Sequence, residues 1–242
     1  ELAPWLTDWR GRFTGKAAAM LSPANRDELS ALVKIASKHR LALVPQGGNT
    51  GMVGGATPDA EGAACIVSLR RMNDIGTIDP DSGMVTCGAG VILQNLHDAV
   101  AKSGRRFPLT LGGKGSATVG GLVSTNAGGT QVLRHGTMHT LVAGIEAVLA
   151  DGSVYDGLIP LKKDNRGYDL KHLLIGAEGT LGIVTKAVLR TVPALVDRCV
   201  AWAGVATPDA AYRLLLFMQR EAEDNLEGFE ILPQRALDAV VR

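Results

Sequence analysis

Twelve of the 30 glycines in this 242-residue chain fall in two short segments, PQGGNTGMVGG (Pro45 to Gly55) and LGGKGSATVGGLVSTNAGG (Leu111 to Gly129). A third block, GAEGTLGIVT (Gly176 to Thr185), follows. Glycine loses more chain entropy on folding than any other residue, so dense clusters mark backbone that must approach something closely or enter positive φ. Successive N–H groups in such loops form concavities that suit anions. The pattern therefore points to a phosphate-bearing ligand held largely by main chain.

The length suffices for one large domain or two modest ones, each with its own apolar core. Cys65, Cys87 and Cys199 sit singly inside apolar runs and read as reduced core residues. A net charge of +1 with both signs interspersed gives no basic stripe, which argues against a nucleic-acid partner. No apolar stretch reaches the roughly twenty residues of a membrane span, and ELAPWLTDWRGRF lacks a signal-peptide core. On that reading the expected location is cytoplasmic.

Leu29, Leu32, Val33 and Ala36 predict an amphipathic helix over Asp27 to Arg40, with Ser22 and Pro23 at its start. A short strand, Leu41 to Val44, then delivers the first glycine loop. Apolar runs at Ala64 to Leu69 and Met84 to Cys87 precede a helix from Ile92 to Ser103. Past the second glycine segment the pattern turns to strands: Val142 to Ala150, a turn at Asp151-Gly152, Val154-Tyr155 and Ile183 to Val192. The expectation is an α+β fold of two lobes, a small α/β lobe and a larger, mainly antiparallel sheet lobe with helical insertions, over residues 1–192. Arg198 to Val205, Ala210 to Glu221, Glu227 to Leu232 and Gln234 to Arg242 read as strand, helix, strand and helix. Residues 193–242 are thus expected to begin a second, α+β domain.

The common nucleotide motifs fail. Gly88-Ala89-Gly90 is followed by Leu93 where a dinucleotide fingerprint needs its third glycine, and Gly113-Lys114 has neither the upstream glycine nor the following Ser or Thr of a Walker loop. In the first segment Gly47, Gly48 and Gly51 free the backbone to wrap a charged group, and Asn49 and Thr50 add neutral donors, a combination suited to a pyrophosphate or to a plain turn. The second repeats it with Gly115, Ser116, Thr118, Gly120, Gly121, Thr125 and Asn126. The third, with Glu178, Gly179, Thr180, Gly182 and Ile183, opens a strand where a flat ring can lie against backbone, and reads equally as a β-turn. His135 and His139, four apart, read as a zinc pair or as loop hydrogen-bonding residues. His97 reads as a surface or packing residue, and Lys162, Lys163, Asp164, Arg166 and Asp169 as a solvated loop.

The blocks PQGGNTGMVGG, GSATVGGLVSTNAGG and KDNRGYDLKHLLIGAEGTLGIVT, with the early LTDWRGRF, resemble the FAD-binding half of the flavin-linked 2-hydroxy acid dehydrogenases. These form the branch of D-lactate, glycolate and D-2-hydroxyglutarate dehydrogenases in the vanillyl-alcohol oxidase superfamily. The agreement runs from about Leu6 to Val192. The resemblance implies that Pro45, Gly47, Gly48, Asn49, Thr50, Gly51 and Met52 cradle the FAD pyrophosphate. It further implies that Gly115, Ser116, Thr118, Val119, Gly121, Thr125 and Asn126 contact flavin and phosphates, and that Glu178, Gly182 and Ile183 belong to the adenine or ribityl end. Tyr168 and Asn165 are expected to order the turn of the third block. Relatives with attached flavin carry a histidine where Thr50 stands and the second segment has no cysteine, so non-covalent FAD is expected.

The implied reaction is oxidation of a D-2-hydroxy acid to the 2-oxo acid, with an unidentified electron acceptor and a homodimer as the expected assembly. The family's metal motif, of the kind H-x-x-H-x-G-D-G-N, is absent from these residues. Catalytic groups and any divalent metal are therefore expected downstream of Arg242. Other readings are a non-catalytic flavin-binding module, an NADPH-linked flavin reductase of the cell-wall precursor type, and a sugar-lactone or alcohol oxidase.

Overall fold

The structure, a computed structural model, describes residues 2–161 and 163–241. Helix α1 (Arg26–His39) starts from Asn25, whose side chain accepts from the Glu28 N–H at 2.9 Å while Glu28 accepts from the Ala24 N–H at 2.7 Å. That reciprocal cap, and not Ser22 and Pro23, sets the start. Asp27 and Glu28 lie in its first turn and Lys38 and His39 in its last, each charge matching the helix dipole. Arg40, at φ 54°, ends it in the left-handed region.

Strands β1 (Ala19–Leu21), β2 (Leu43–Gln46) and β3 (Cys65–Ser68) form a parallel sheet in the order β1-β3-β2. With α1 they make the small α/β lobe. β1 escapes sequence reading because its Ala-Met-Leu is too short for a period. The larger lobe begins with β4 (Met84–Gly88), α2 (Leu93–Ala101) and β5 (Arg105–Arg106). Short helices α3 (Val119–Ser124), α4 (Val132–His135) and α5 (Met138–Leu141) follow. Then come β6 (Val142–Leu149), β7 (Val154–Gly157), α6 (Lys171–Leu174), β8 (Gly182–Arg190) and β9 (Val192–Pro193). Its antiparallel sheet runs β4-β8-β6-β7, and β5 pairs with β9 as a separate ribbon. The β6–β7 hairpin turns at Asp151-Gly152, where Gly152 takes φ 81° and Asp151 accepts from Ser153.

The core of the larger lobe joins Leu93, Leu96 and Val100 of α2, Val119 and Val123 of α3, and Ile145, Ala147 and Leu189 of the sheet. A second cluster spans both lobes: Leu29 and Val33 of α1 meet Val67 and Leu69 on one side and Val148 and Ile183 on the other. Two ion pairs of Arg26 reinforce this seam. Arg26 donates to the buried Glu146 carboxylate at 2.7 Å and to Asp156 at 3.1 Å, and the Thr185 hydroxyl donates to Glu146 at 2.6 Å. The Ser30 hydroxyl adds a 2.5 Å bond to the Gly152 carbonyl. The lobes are therefore held in fixed register, so loops from each can face one another.

Beyond Pro193 the helices α7 (Pro208–Ala222) and α8 (Gln234–Val241) form as the spacing predicts. The strands expected over Arg198 to Val205 and Glu227 to Leu232 do not form. Val200, Trp202, Val205, Ile231 and Leu232 are exposed, and no neighbouring strand takes up their backbone groups among the described residues. Cys199 is likewise exposed instead of in the core, whereas burial, aided by Asp74, pushes the Cys87 thiol up to about 12.

Candidate functional site

The three glycine blocks meet. β2 ends at Gln46, and the next two residues run against the second segment with no room for a side chain. A Cβ on Gly47 would sit 2.3 Å from Thr118 Oγ1, and one on Gly48 1.8 Å from the Ser116 carbonyl oxygen. The third block closes on both. A Cβ on Gly179 would lie 3.0 Å from the Pro45 ring and one on Gly176 3.3 Å from Asn126, while the Glu178 N–H donates to the Ser124 carbonyl at 2.8 Å.

The same blocks hold three of the five non-glycine residues at positive φ among the described residues, one in each: Asn49 at 53°, Asn126 at 47° and Glu178 at 52°. Such positions persist only where the surroundings over-determine them, and they cluster at ligand sites. Here the restraint is visible. Asn49 donates through its amide to the Thr7 carbonyl at 2.8 Å, and Asn126 accepts from the His139 N–H at 2.9 Å.

Three glycines of the first two blocks have a different character. A Cβ on Gly51, Gly112 or Gly115 would meet nothing within 4 Å, and none has positive φ, so the polypeptide itself gives no reason for glycine there. Their backbone faces open space, as a close-approach surface must. Thr118 Oγ1 is buried without a partner at the contact of the first two loops. Behind them, Pro45, Gly179, Thr180, Gly182 and Ile183 line a cleft of about 210 Å³ whose other walls are Val33, Leu43, Val148 and Leu149. Bare amides and an orphaned hydroxyl at the loop contact suit a pyrophosphate, and the cleft, with both polar and apolar walls, is bordered by Pro45 of the first block and Gly179 to Ile183 of the third.

Residue by residue, Gly47, Gly48, Asn49 and Thr50 are half-buried at the junction, and Gly51, Met52, Gly115 and Ser116 lie exposed at its mouth. Val119 is fully buried in the core and offers a ligand only its backbone. The Thr125 hydroxyl donates to the Gly121 carbonyl at 2.9 Å. Tyr168 is 94 % exposed and its carbonyl accepts only locally, from the Leu170 N–H at 3.1 Å, contrary to the expected ordering of the turn; the third block is tied down by Val123, Ser124 and His139. Asn165 lies in the exposed stretch before α6, in which Arg166 holds the Asp164 carboxyl at about 2, and Lys162 lies outside the described residues.

His135 and His139 diverge. His135 joins Arg106 and Arg134 around Glu227, and His139 packs edge-on against His172 with ring centres 4.7 Å apart. Burial opposes ionisation of Glu227, but the bonds and charge of Arg106 together with His135 outweigh it and hold the carboxyl below its ordinary range. Burial holds His135 below the ordinary imidazole range, against its hydrogen bond to Glu227. Among the described residues no three His, Cys, Asp or Glu side chains are grouped to hold a metal ion. His97, half-buried with Nε2 3.0 Å from the Leu109 carbonyl oxygen, is a packing residue.

Sequence reasoning missed Gln46. Its amide, buried at the end of β2, donates to the Trp5 and Ala56 carbonyls at 3.0 and 2.8 Å, closing the first loop from behind. A polar residue at the last position of a buried strand was the available signal.

Residues 17–157 match the family described as FAD binding domain. The chain belongs to that family. This FAD-binding chain is 43% identical over 235 residues to a probable D-2-hydroxyglutarate dehydrogenase of Oryza sativa and 44% identical over 235 residues to a D-2-hydroxyglutarate dehydrogenase of Arabidopsis thaliana. Each match covers 97% of this chain but 42% of the relative, so the chain spans less than half the length of these curated relatives. A D-2-hydroxyglutarate–pyruvate transhydrogenase of Saccharomyces cerevisiae is 36% identical, with 48% of its length covered. Among solved structures, an alkyldihydroxyacetonephosphate synthase overlays with a TM-score of 0.64 at 24% identity, over 72% of this chain and 31% of that one, which shows the shared two-lobed fold of the vanillyl-alcohol oxidase type. The comparison overturns the expected cytoplasmic location: the rice and Arabidopsis relatives are named as mitochondrial proteins. No helix among the described residues is long and apolar enough to cross a membrane.

Proposed function

We propose that this chain holds FAD, without a covalent bond, in the seam where its three glycine loops meet, as the flavin-binding part of an enzyme that oxidises a D-2-hydroxy acid to the 2-oxo acid. The amides of Gly47 to Gly51 and of Gly115 and Ser116 cradle the pyrophosphate, with Thr118 Oγ1 as an added donor. Asn126 and Thr125 flank the flavin, and Gly182 and Ile183 line the slot for the adenine or ribityl end. Bound FAD would supply a two-electron acceptor for the α-hydrogen of the acid. The lobes position that acceptor and exclude water behind it. The base and the cationic groups that grip the substrate carboxylate lie in sequence beyond Arg242, and turnover needs a separate electron acceptor.

The observation that carries this reading is the meeting of three loops from two lobes at one seam, each with a left-handed non-glycine residue. The names of the plant relatives support the substrate class. The test is a visible spectrum of the purified protein after loading with FAD. Flavin bands should appear, and acid precipitation should release them to the supernatant. Bands that remain with the pellet contradict non-covalent binding. Sustained oxidation of D-2-hydroxyglutarate, D-lactate or glycolate by residues 1–242 alone would contradict the placement of the substrate groups elsewhere.

A further inference from the structure

We propose that His139 is a positioning residue that couples the second and third loops of the flavin site, a role that rests on the FAD reading above. His139 stands near the start of α5, and its two ends reach different loops. Its N–H donates to Asn126 Oδ1 at 2.9 Å, and its ring Nε2 lies 3.1 Å from the Ile175 carbonyl oxygen. A carbonyl only accepts, so Nε2 carries the hydrogen in this bond and the ring is fixed in that tautomer. The preceding residue strengthens the first anchor, the Met138 N–H donating to the Ala127 carbonyl at 3.0 Å.

Both anchored points border left-handed backbone. Asn126 is itself at φ 47°, and Ile175 is followed by Gly176 at 85° and Glu178 at 52°. The two turns touch, since a Cβ on Gly176 would lie 3.3 Å from Asn126 Cβ. One residue thus pins a strained turn of each loop, and the edge-on His172 ring at 4.7 Å keeps the imidazole from swinging away. Loops held this way are ordered before the ligand arrives, and the ordering cost does not fall on binding. His139 bonds to Asn126 and Ile175, so it acts on the site through them.

The experiment uses three proteins: wild type, His139→Phe and His139→Gln. Phenylalanine keeps an aromatic ring against His172 but cannot donate to Ile175; glutamine restores an N–H donor at the end of its side chain. Amide exchange is measured first, without FAD. In His139→Phe the N–H bond to Asn126 survives and the ring bond to Ile175 is lost, so amides over residues 175–179 should exchange faster, and in His139→Gln they should return toward wild type. FAD titration by flavin fluorescence should then give affinity weaker by about tenfold for the phenylalanine variant and within about threefold of wild type for the glutamine variant. Unchanged exchange over residues 175–179 in His139→Phe, equal loss in both variants, or unchanged FAD affinity in His139→Phe overturns the proposal. Wild-type protein that takes up no FAD refutes the flavin reading itself, and the exchange data, collected without FAD, keep that failure separate from a failure of the coupling.

Discussion

Replacing Gly48 with alanine is expected to lower stability by about 3 kcal/mol and to weaken FAD binding by at least about a hundredfold. The added methyl would sit 1.8 Å from the Ser116 carbonyl oxygen and 2.5 Å from its carbon, atoms of a backbone that cannot rotate aside. Relief requires the first loop to withdraw from the second, which opens the seam. For a chain of this size the melting temperature should fall by roughly 6–12 °C. Gly51→Ala is the matched comparison, because its methyl meets nothing within 4 Å. That variant should melt within about 2 °C of wild type, the range of a neutral surface change. Its FAD affinity should nevertheless drop, because the space is reserved for the ligand. Thermal melts of the apo proteins and fluorescence titrations with FAD check both, and a Gly48→Ala protein that melts and binds as wild type does would remove the close contact from the account.

The second large effect belongs to Glu146. Its side chain is 5% exposed and receives Arg26 from α1 and Thr185 from β8, so it ties the small lobe to the large one. Glu146→Ala removes the closer acceptor of the Thr185 hydroxyl, the carboxylate at 2.6 Å, leaving it only the backbone carbonyl of residue 146 at 3.2 Å, and opens a void at the seam. Arg26 is partly exposed and keeps Asp156 at 3.1 Å, which moderates the loss. The expected cost is about 2–3 kcal/mol, below the full penalty of an unpaired buried charge. A melt should shift down by roughly 4–12 °C. Because the seam also positions the flavin loops, FAD affinity should fall in the same variant. A double variant with Arg26→Met should cost less than the sum of the two single changes, as contacting residues do.

Much of this organisation is legible in the residues. The 3.6-residue period of α1, the Asp-Gly hairpin and the apolar runs of the sheets are local signals, and the elements fall within a few residues of where those signals put them. The glycine blocks mark the site because backbone approach needs glycine whatever the fold. What stays hidden is mostly long-range. Asn25 and Glu28 advertise the cap of α1 by their spacing, yet Ser22-Pro23 offers a competing start that only the closed hydrogen bonds exclude. β1 is visible only through its neighbour β3, to which it pairs. The apolar runs at Arg198 to Val205 and Glu227 to Leu232 carry strand composition, but a strand forms only where a partner accepts its backbone.

The site shows the same division. Gly47, Gly48, Thr118 and Asn126 announce themselves by residue type, whereas Gln46, Glu146 and His139 act through contacts 10 to 120 residues away in sequence. His139 suggested a metal pair with His135 by spacing alone, but Gly136 and Thr137 between them break the helix that pairing requires, and the two rings face different partners. Spacing reports a face only when the intervening residues keep one regular element.

The central claim is that three loops from two lobes form one FAD site. Amide hydrogen exchange before and after FAD addition tests it most directly. Exchange should slow together over residues 47–51, 115–126 and 176–183, with little change in α7 and α8. Protection confined to one of these segments, or absent from all three while FAD binds, would contradict a single shared site.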